Sequence, residues 1–339
     1  MTEEHIFAQY IRILGKGKKG SRSLTQDEAY EAMRLILADS AVEPVQLGAF
    51  LMLMRVKEES PEELAGFVRA ARDSLVLPGA IPKVDLDWSS YAGKRRQLPW
   101  FLLSALLLAE NGSSIFMHGI GGRKYNRVYT PGALASLGIA PCASLNDAAQ
   151  RIRQQGFAFL PLENFCPKLQ EMIELRDLLG LRSPVHTLSR MLNPFQAPNL
   201  MQGIFHPGYK IIHQQAALLL GQSHAAVLKG EGGEIERNPD IDCQVLTVHE
   251  GVAGEEQWPA LFSTRHMKDE TMDVTRLAAL WRGDIADDYG EATVTGTAAI
   301  ALKMMGRADS IAAAEALARQ MWDGRPRDRY GSGTHVLGL

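Results

Sequence analysis

Cysteine is scarce in this chain. Cys142, Cys166 and Cys243 are far apart and form no C-x-x-C pair, so neither a disulfide framework nor a zinc site is expected. No apolar run approaches the roughly 18 residues of a membrane span. The start, Met1-Thr2-Glu3-Glu4, is acidic where a secretory leader is basic, and a cytoplasmic location without membrane attachment is expected. Internal repeats and low-complexity linkers are also lacking. What is abundant is apolar material: at 339 residues and 46% hydrophobic, the chain has enough to bury a sizeable core in one large domain or two. Disorder is excluded on the same ground.

Excess charge of one sign is missing too, since the formal net charge is −3. A sum conceals its distribution. No acid stands between Glu4 and Asp27, where Arg12, Lys16, Lys18, Lys19 and Arg22 all fall. From Lys94 to Arg127 six bases (Lys94, Arg95, Arg96, Arg123, Lys124 and Arg127) face the single acid Glu110. Carboxylates concentrate from Glu231 to Glu291, so basic and acidic faces can coexist on one fold.

The first eighty residues read as helices. Ile6, Tyr10, Ile13 and Leu14 recur at helical spacing before the glycine-basic loop Gly15 to Gly20. Thr25 with Glu28 forms a capping-box pattern ahead of an apolar stripe at Ala29, Met33, Ile36 and Leu37. Ser60-Pro61-Glu62-Glu63 repeats the start signal, with proline at the first helical position. After Pro78 to Pro82 the texture changes. Ser114–Met117, Ala225–Leu228 and Gln244–Val248 are candidate buried strands, while Pro99–Glu110, Glu163–Leu181 and Ile211–Leu220 read as helices. Strands alternating with helices imply an α/β domain with a mainly parallel sheet. The expected division is a helical domain over 1–80, completed by about 164–190, and an α/β domain over 81–163 and 191–339.

Four segments in order resemble the anthranilate phosphoribosyltransferases. Asp85-Leu-Asp-Trp-Ser-Ser-Tyr-Ala-Gly93 stands where that family has D-x-x-G-T-G-G-D. Met117-His118-Gly119, with Leu137-Gly138-Ile139 after it, is similar to the family's K-H-G and L-G-I. Leu175-Arg176 to Arg182-Ser183, then Asn193-Pro194, resemble R-x-x-L-G-x-R-T and N-P. Leu228-Lys229-Gly230-Glu-Gly-Gly-Glu234-Ile235-Glu236 lies where the enzymes read H-G-x-D-G-L-D-E. The closing stretch from Thr297 to Arg325 resembles the family's last helices. The resemblance implies a small helical domain hinged to a larger α/β domain, substrates in the cleft between them, and homodimerisation through the helical part.

The same comparison implies lost chemistry. A pyrophosphate cradle needs successive glycines that let backbone N–H groups face the ligand. Only Gly93 remains, followed by Lys94, Arg95 and Arg96. The family's Mg²⁺ sits on an adjacent Asp-Glu pair, replaced here by Ile235-Glu236 with Glu234 one residue off. The family's His before glycine is Lys229, and its His-Pro is Cys166-Pro167, while Arg176 matches the arginine associated with the anthranilate carboxylate. His118, Gly119, Arg176, Asn193, Gly93, Glu234 and Glu236 are therefore read as degenerate substrate-site positions. No catalytic residue, metal or cofactor is expected. His118, His186, His206 and His213 lack metal spacing and read as structural.

Positive charge replaces the lost groups. Lys94, Arg95 and Arg96, the loop with Arg123, Lys124 and Arg127, and Lys229 with Arg237 converge on the cleft if the family fold holds, with Lys16, Lys18 and Lys19 bordering it. Glu234 and Glu236 are expected to orient Lys229 and Arg237, and Tyr91 and Tyr125 to stack on bases. Such clusters neutralise backbone phosphates with little sequence information. These features resemble a catalytically degenerate branch of the family that binds DNA or RNA without strong sequence preference, and nucleic acid, with a preference for single strands, is the expected partner. A phosphoribosyltransferase or phosphorylase of altered substrate, and a regulatory protein-binding dimer, remain as alternatives.

Overall fold

The structure is a computed structural model that describes residues 4–38, 40–122 and 126–331. Its first part is helical: α1 (Ala8–Gly15), α2 (Gln26–Leu37), α3 (Pro44–Lys57) and α4 (Pro61–Asp73). Both capping boxes form as the sequence predicts, at Thr25/Glu28 and Ser60/Glu63. The second does more than start a helix. The buried Glu63 carboxylate accepts from the backbone N–H of Leu24 at 2.7 Å and of Ser60 at 2.8 Å, and pairs with Lys57 at 2.6 Å. One carboxylate thereby ties the entry of α2, the end of α3 and the start of α4. Gly66 permits the tight approach of α4 to α2, since a Cβ there would stand 2.2 Å from the Gln26 carbonyl.

The remainder alternates: β1 (Leu86–Ser90), α5 (Phe101–Glu110), β2 (Ile115–Gly119), α6 (Thr130–Ser136), α7 (Leu145–Gln155) and β3 (Phe157–Pro161). A second helical insertion follows, with α8 (Pro167–Glu174), α9 (Arg176–Leu179) and α10 (Val185–Leu188). Then come β4 (Asn199–Ile204), α11 (Tyr209–Leu219), β5 (His224–Lys229), β6 (Cys243–His249), β7 (Val252–Trp258), α12 (Thr275–Arg282), α13 (Asp288–Met304) and α14 (Ile311–Asp323). The expected single helix over Glu163–Leu181 is broken into α8 and α9. Its buried Leu169, Met172 and Ile173 join the same apolar cluster as Phe7, Phe50 and Phe67 of the N-terminal helices.

The sheet order is β3-β2-β1-β4-β5-β6-β7. β1 to β5 run parallel, and β6 and β7 add an antiparallel edge. Both faces are covered, as a parallel sheet requires: α5, α13 and α14 pack with Trp88, Met117 and Leu228 on one, and the helical part packs with Leu200 and Ala225 on the other. The strand order grows outward in both directions from β1, so the switch point lies between β1 and β4. In such sheets the crevice outside the carboxyl ends of the strands is the binding position. The segments that follow β1, β2 and β5 meet there. Among the described residues no helix is long and apolar enough to cross a membrane.

Candidate functional site

β1 delivers Tyr91, Ala92 and Gly93 to the crevice. Leu86–Ser90, in the segment that stands where the family has its phosphate loop, is a fully buried strand. Gly93 carries φ of +67°, and a Cβ there would stand 2.9 Å from the Tyr129 ring, so glycine is needed for both conformation and space. The result is a small nest of two inward-pointing N–H groups. Its occupant is the protein itself: Glu234 Oε1 accepts from Ala92 N–H at 2.7 Å and from Gly93 N–H at 2.5 Å. Burial pushes the Glu234 carboxyl up, opposed by the charge of Arg190 and by the two N–H groups.

The segment that presents Glu234 is the glycine-rich turn after β5. Gly232 and Gly233 have φ of +71° and +90°, and a Cβ on Gly203 of β4 would stand 2.3 Å from the Glu234 carbonyl. The turn lies flat on the end of β4, and its next three side chains diverge. Glu234 faces the β1 loop, Ile235 enters the sheet core, and Glu236 meets Lys94. Ile235 thus puts a fully buried hydrocarbon where the resembled family has an acid.

Lys94 is 1% exposed, and its ammonium pairs with the buried Glu236 carboxylate and donates to the Glu231 carbonyl at 3.2 Å. The other Glu236 oxygen accepts from Phe101 N–H at 2.9 Å, at the start of α5 where a helix favours negative charge. Burial pushes the Glu236 carboxyl up to about 7, with Lys94 pulling it down. This pairing overturns two expectations. Lys94 is no surface cation, and Glu236 does not orient Arg237. Arg237 is itself fully buried: it bonds Glu315 at 2.8 Å and the Pro259 carbonyl at 2.5 Å, and lies 5.2 Å over the Trp258 ring. Both terminal nitrogens are engaged and the whole side chain is withdrawn from solvent, so an external phosphate cannot reach it.

Other positions of the resemblance are internal structure as well. His118 is buried between Tyr91 Oη at 2.7 Å and Asp87 at 3.1 Å. The expectation that Tyr91 stacks on bases therefore fails, because its ring is 1% exposed. Gly119 ends β2 against the Ser90 carbonyl, 1.9 Å from where a Cβ would lie. Asn193, at φ of +37°, holds its turn by exchanging hydrogen bonds with Ala197 and donating to Gln222. Arg127 braces the β1 loop by donating to the carbonyls of Ala92 and Gly93 at 3.2 and 3.0 Å.

Other charges do face outward. Arg95, Arg96 and Lys229 are exposed at the carboxyl ends of β1 and β5 and form no ion pair among the described residues. Lys16, Lys18 and Lys19 are exposed beyond α1, and among the described residues no side-chain hydrogen bond or ion pair joins them to the crevice. Arg123, Lys124 and Tyr125 lie outside the described residues. Two further cations are not apparent from the sequence reading: Arg265 and Lys268 are exposed on the segment whose Asp269 N–H donates to the Arg96 carbonyl at 3.1 Å. They stand in the acid-rich half of the chain, which conceals them.

Arg176 lines a cleft of ≈ 340 Å³ beside Tyr129, Glu163 and Arg182. Arg182 is the second arginine of the segment that resembles R-x-x-L-G-x-R-T. It also borders a second cavity with His186, Tyr209 and His213. Burial first, then the charges of Arg176, Arg190 and Arg127, lowers its guanidinium to about 10. Among the described residues no cluster of three or more metal-ligating side chains forms. Glu236 is committed to Lys94 and Ile235 brings no oxygen, so these residues do not fit the family's Mg²⁺.

Residues 8–75 match the helical bundle domain of a glycosyl transferase family. An uncharacterized protein of Aquifex aeolicus is 31% identical over 238 residues, covering 69% of this chain and 72% of its own. The uncharacterized protein YbiB of Escherichia coli is 28% identical over 245 residues, covering 70% and 75%. Anthranilate phosphoribosyltransferase 1 of Ralstonia nicotianae is 29% identical over 216 residues, covering 62% of each chain. Among solved structures, anthranilate phosphoribosyltransferase of Thermus thermophilus superposes with a TM-score of 0.77 over 94% of both chains, at 22% identity, a likeness of fold.

Proposed function

This chain belongs to the anthranilate phosphoribosyltransferase-like family, and from that premise we propose that it is a nucleic-acid-binding protein in which the inherited transfer chemistry has been lost. The observation that carries the reading is the exposure of Arg95, Arg96 and Lys229, without ion-pair partners among the described residues, around one end of the parallel strands. Parallel strands deliver their carboxyl ends to a common edge, so cations distant in sequence share a rim. Exposed arginine and lysine on such a rim neutralise phosphodiesters and release counterions, which gives affinity without strong sequence preference. Arg265 and Lys268 extend the rim.

In this reading the helical segments 1–80 and about 164–190 make the homodimer contact. Val45 and Leu178 support it, being 77% and 82% exposed on α3 and α9, which approach each other at Gly48 and Leu179. The dimer acts in the cytoplasm, and single strands are the favoured partner because they reach a crevice that a duplex spans.

The test is fluorescence anisotropy with labelled single-stranded DNA, duplex DNA and RNA between about 50 and about 200 mM salt. Binding should weaken steeply with salt. Replacing Arg95, Arg96 and Lys229 together by alanine should reduce the log–log salt slope for single strands by about 2, at roughly 0.7 per lost phosphate contact. Unchanged affinity and slope in that variant would remove the rim from consideration.

A phosphoribosyltransferase of altered substrate is the second reading. Its specific support is the arginine-lined cleft at Arg176 and Arg182, together with relatives that carry the transferase name. Calorimetry with phosphoribosyl pyrophosphate and Mg²⁺ separates the two, because only this reading expects saturable, magnesium-dependent heat.

A further inference from the structure

We infer that the turn over residues 230–236 fills the ion sites of the crevice from within: the Glu234 carboxylate takes the position of a bound anion at the Ala92 and Gly93 N–H groups, and the Lys94 ammonium takes that of a bound cation at Glu236. The inference concerns this chain's own side chains and stands apart from nucleic-acid binding. Three features carry it. The nest donors are both engaged by one oxygen of a side chain 142 positions away from Ala92. The lysine that follows the nest reaches the carboxylate two residues beyond Glu234, so the exchange of ions is reciprocal across one pair of segments. Finally, the turn is shaped for this seat, with two glycines at positive φ and Gly230 so close to the Glu234 carbonyl that a Cβ would overlap it at 1.5 Å.

A carboxylate accepting from two backbone N–H groups satisfies the same donors that a phosphate oxygen would satisfy. An external anion must therefore displace a tethered one, whose effective concentration is set by the fold rather than by solution. The wild-type nest is closed to phosphates. Shortening the side chain reopens it, and Arg190, which now faces Glu234, is left to attract whatever anion enters. The ligand class is an inorganic phosphate or pyrophosphate, bound without a divalent cation because Lys94 already occupies Glu236.

The experiment uses the full chain and inorganic pyrophosphate in magnesium-free buffer, followed by calorimetry and thermal melting. Wild type should show no saturable binding at millimolar pyrophosphate. Glu234→Ala should bind at least tenfold more tightly than wild type, and phosphate or pyrophosphate should raise its melting temperature where chloride at equal ionic strength does not. Glu234→Gln keeps an oxygen for the two donors and should remain closed. Equal pyrophosphate binding by Glu234→Gln and Glu234→Ala would mean that removed charge, not a vacated nest, is responsible, and would overturn the inference. A folded Glu234→Ala that ignores phosphate would overturn it as well. If Glu234→Ala does not fold, the amide resonances of Ala92 and Gly93 in the wild-type protein decide: they should be unmoved by pyrophosphate, and saturable shifts there would refute self-occupation.

Discussion

Lys94 and Arg95 are neighbours in the chain and opposites in the structure. The lysine is sealed between the β1 loop and the 230–236 turn with its charge on Glu236, while the arginine is exposed and forms no ion pair among the described residues. Lys94 exchanges both backbone hydrogen bonds with Val128, a strand-like pairing in which successive side chains point to opposite sides. The same division separates Arg237, buried on Glu315, from the exposed Lys229 eight positions earlier. A run of like charges therefore carries two kinds of residue: those that neutralise internal carboxylates and those that remain for a partner. Only the second kind is free to meet the nucleic acid proposed above.

That comparison can be broken by mutation. Lys94→Ala strands the Glu236 carboxylate in a dry site and should cost about 3–5 kcal/mol in chemical denaturation. A loss no larger than that of an exposed residue would mean the pair is solvated. Gly93→Ala forces a side chain into a positive φ and against Tyr129, and should cost about 1–3 kcal/mol while leaving Arg95 and Arg96 exposed. Thr25→Ala removes one half of the α2 capping box, for about 1 kcal/mol.

The Glu28 half of that box has a pH signature. Arg22 above all, then the Thr25 N–H, hold the Glu28 carboxyl at about 2, below its ordinary 4.5. Its contribution is therefore present above the ordinary carboxylate range and lost as pH falls toward 2. The stability gap between wild type and Glu28→Gln should be present at neutral pH, shrink below about 4.5 and vanish near 2. Being largely exposed, the pair is worth under about 1 kcal/mol. Arg95→Ala is expected to be the smallest change, within about 0.5 kcal/mol in stability, with its effect confined to salt-dependent binding.

Much of the fold is legible from local rules. The two capping boxes, the helix over Pro99–Glu110 and the strands at Ser114–Met117 and Ala225–Leu228 each follow from spacing and end signals within a few residues. β1 is harder to read, because its polar serines and aspartate resemble a loop. They are accommodated only because both neighbouring strands and the helical part cover them. The break between α8 and α9 is likewise unmarked by proline or glycine at the point where it occurs.

The site divides in the same way. Residue types alone establish that the family's run of glycines and its paired acids are absent, since only Gly93 stands in the one place and Ile235 brings no oxygen to the other. Which charges face which is a different matter. The Glu234 contact with Ala92 and Gly93, the Lys94 pair with Glu236 and the Arg237 pair with Glu315 each join segments tens to hundreds of positions apart. Sequence specifies that these charges exist, but burial decides their partners, because a charge withdrawn from water must find its counterpart wherever the packed elements bring one.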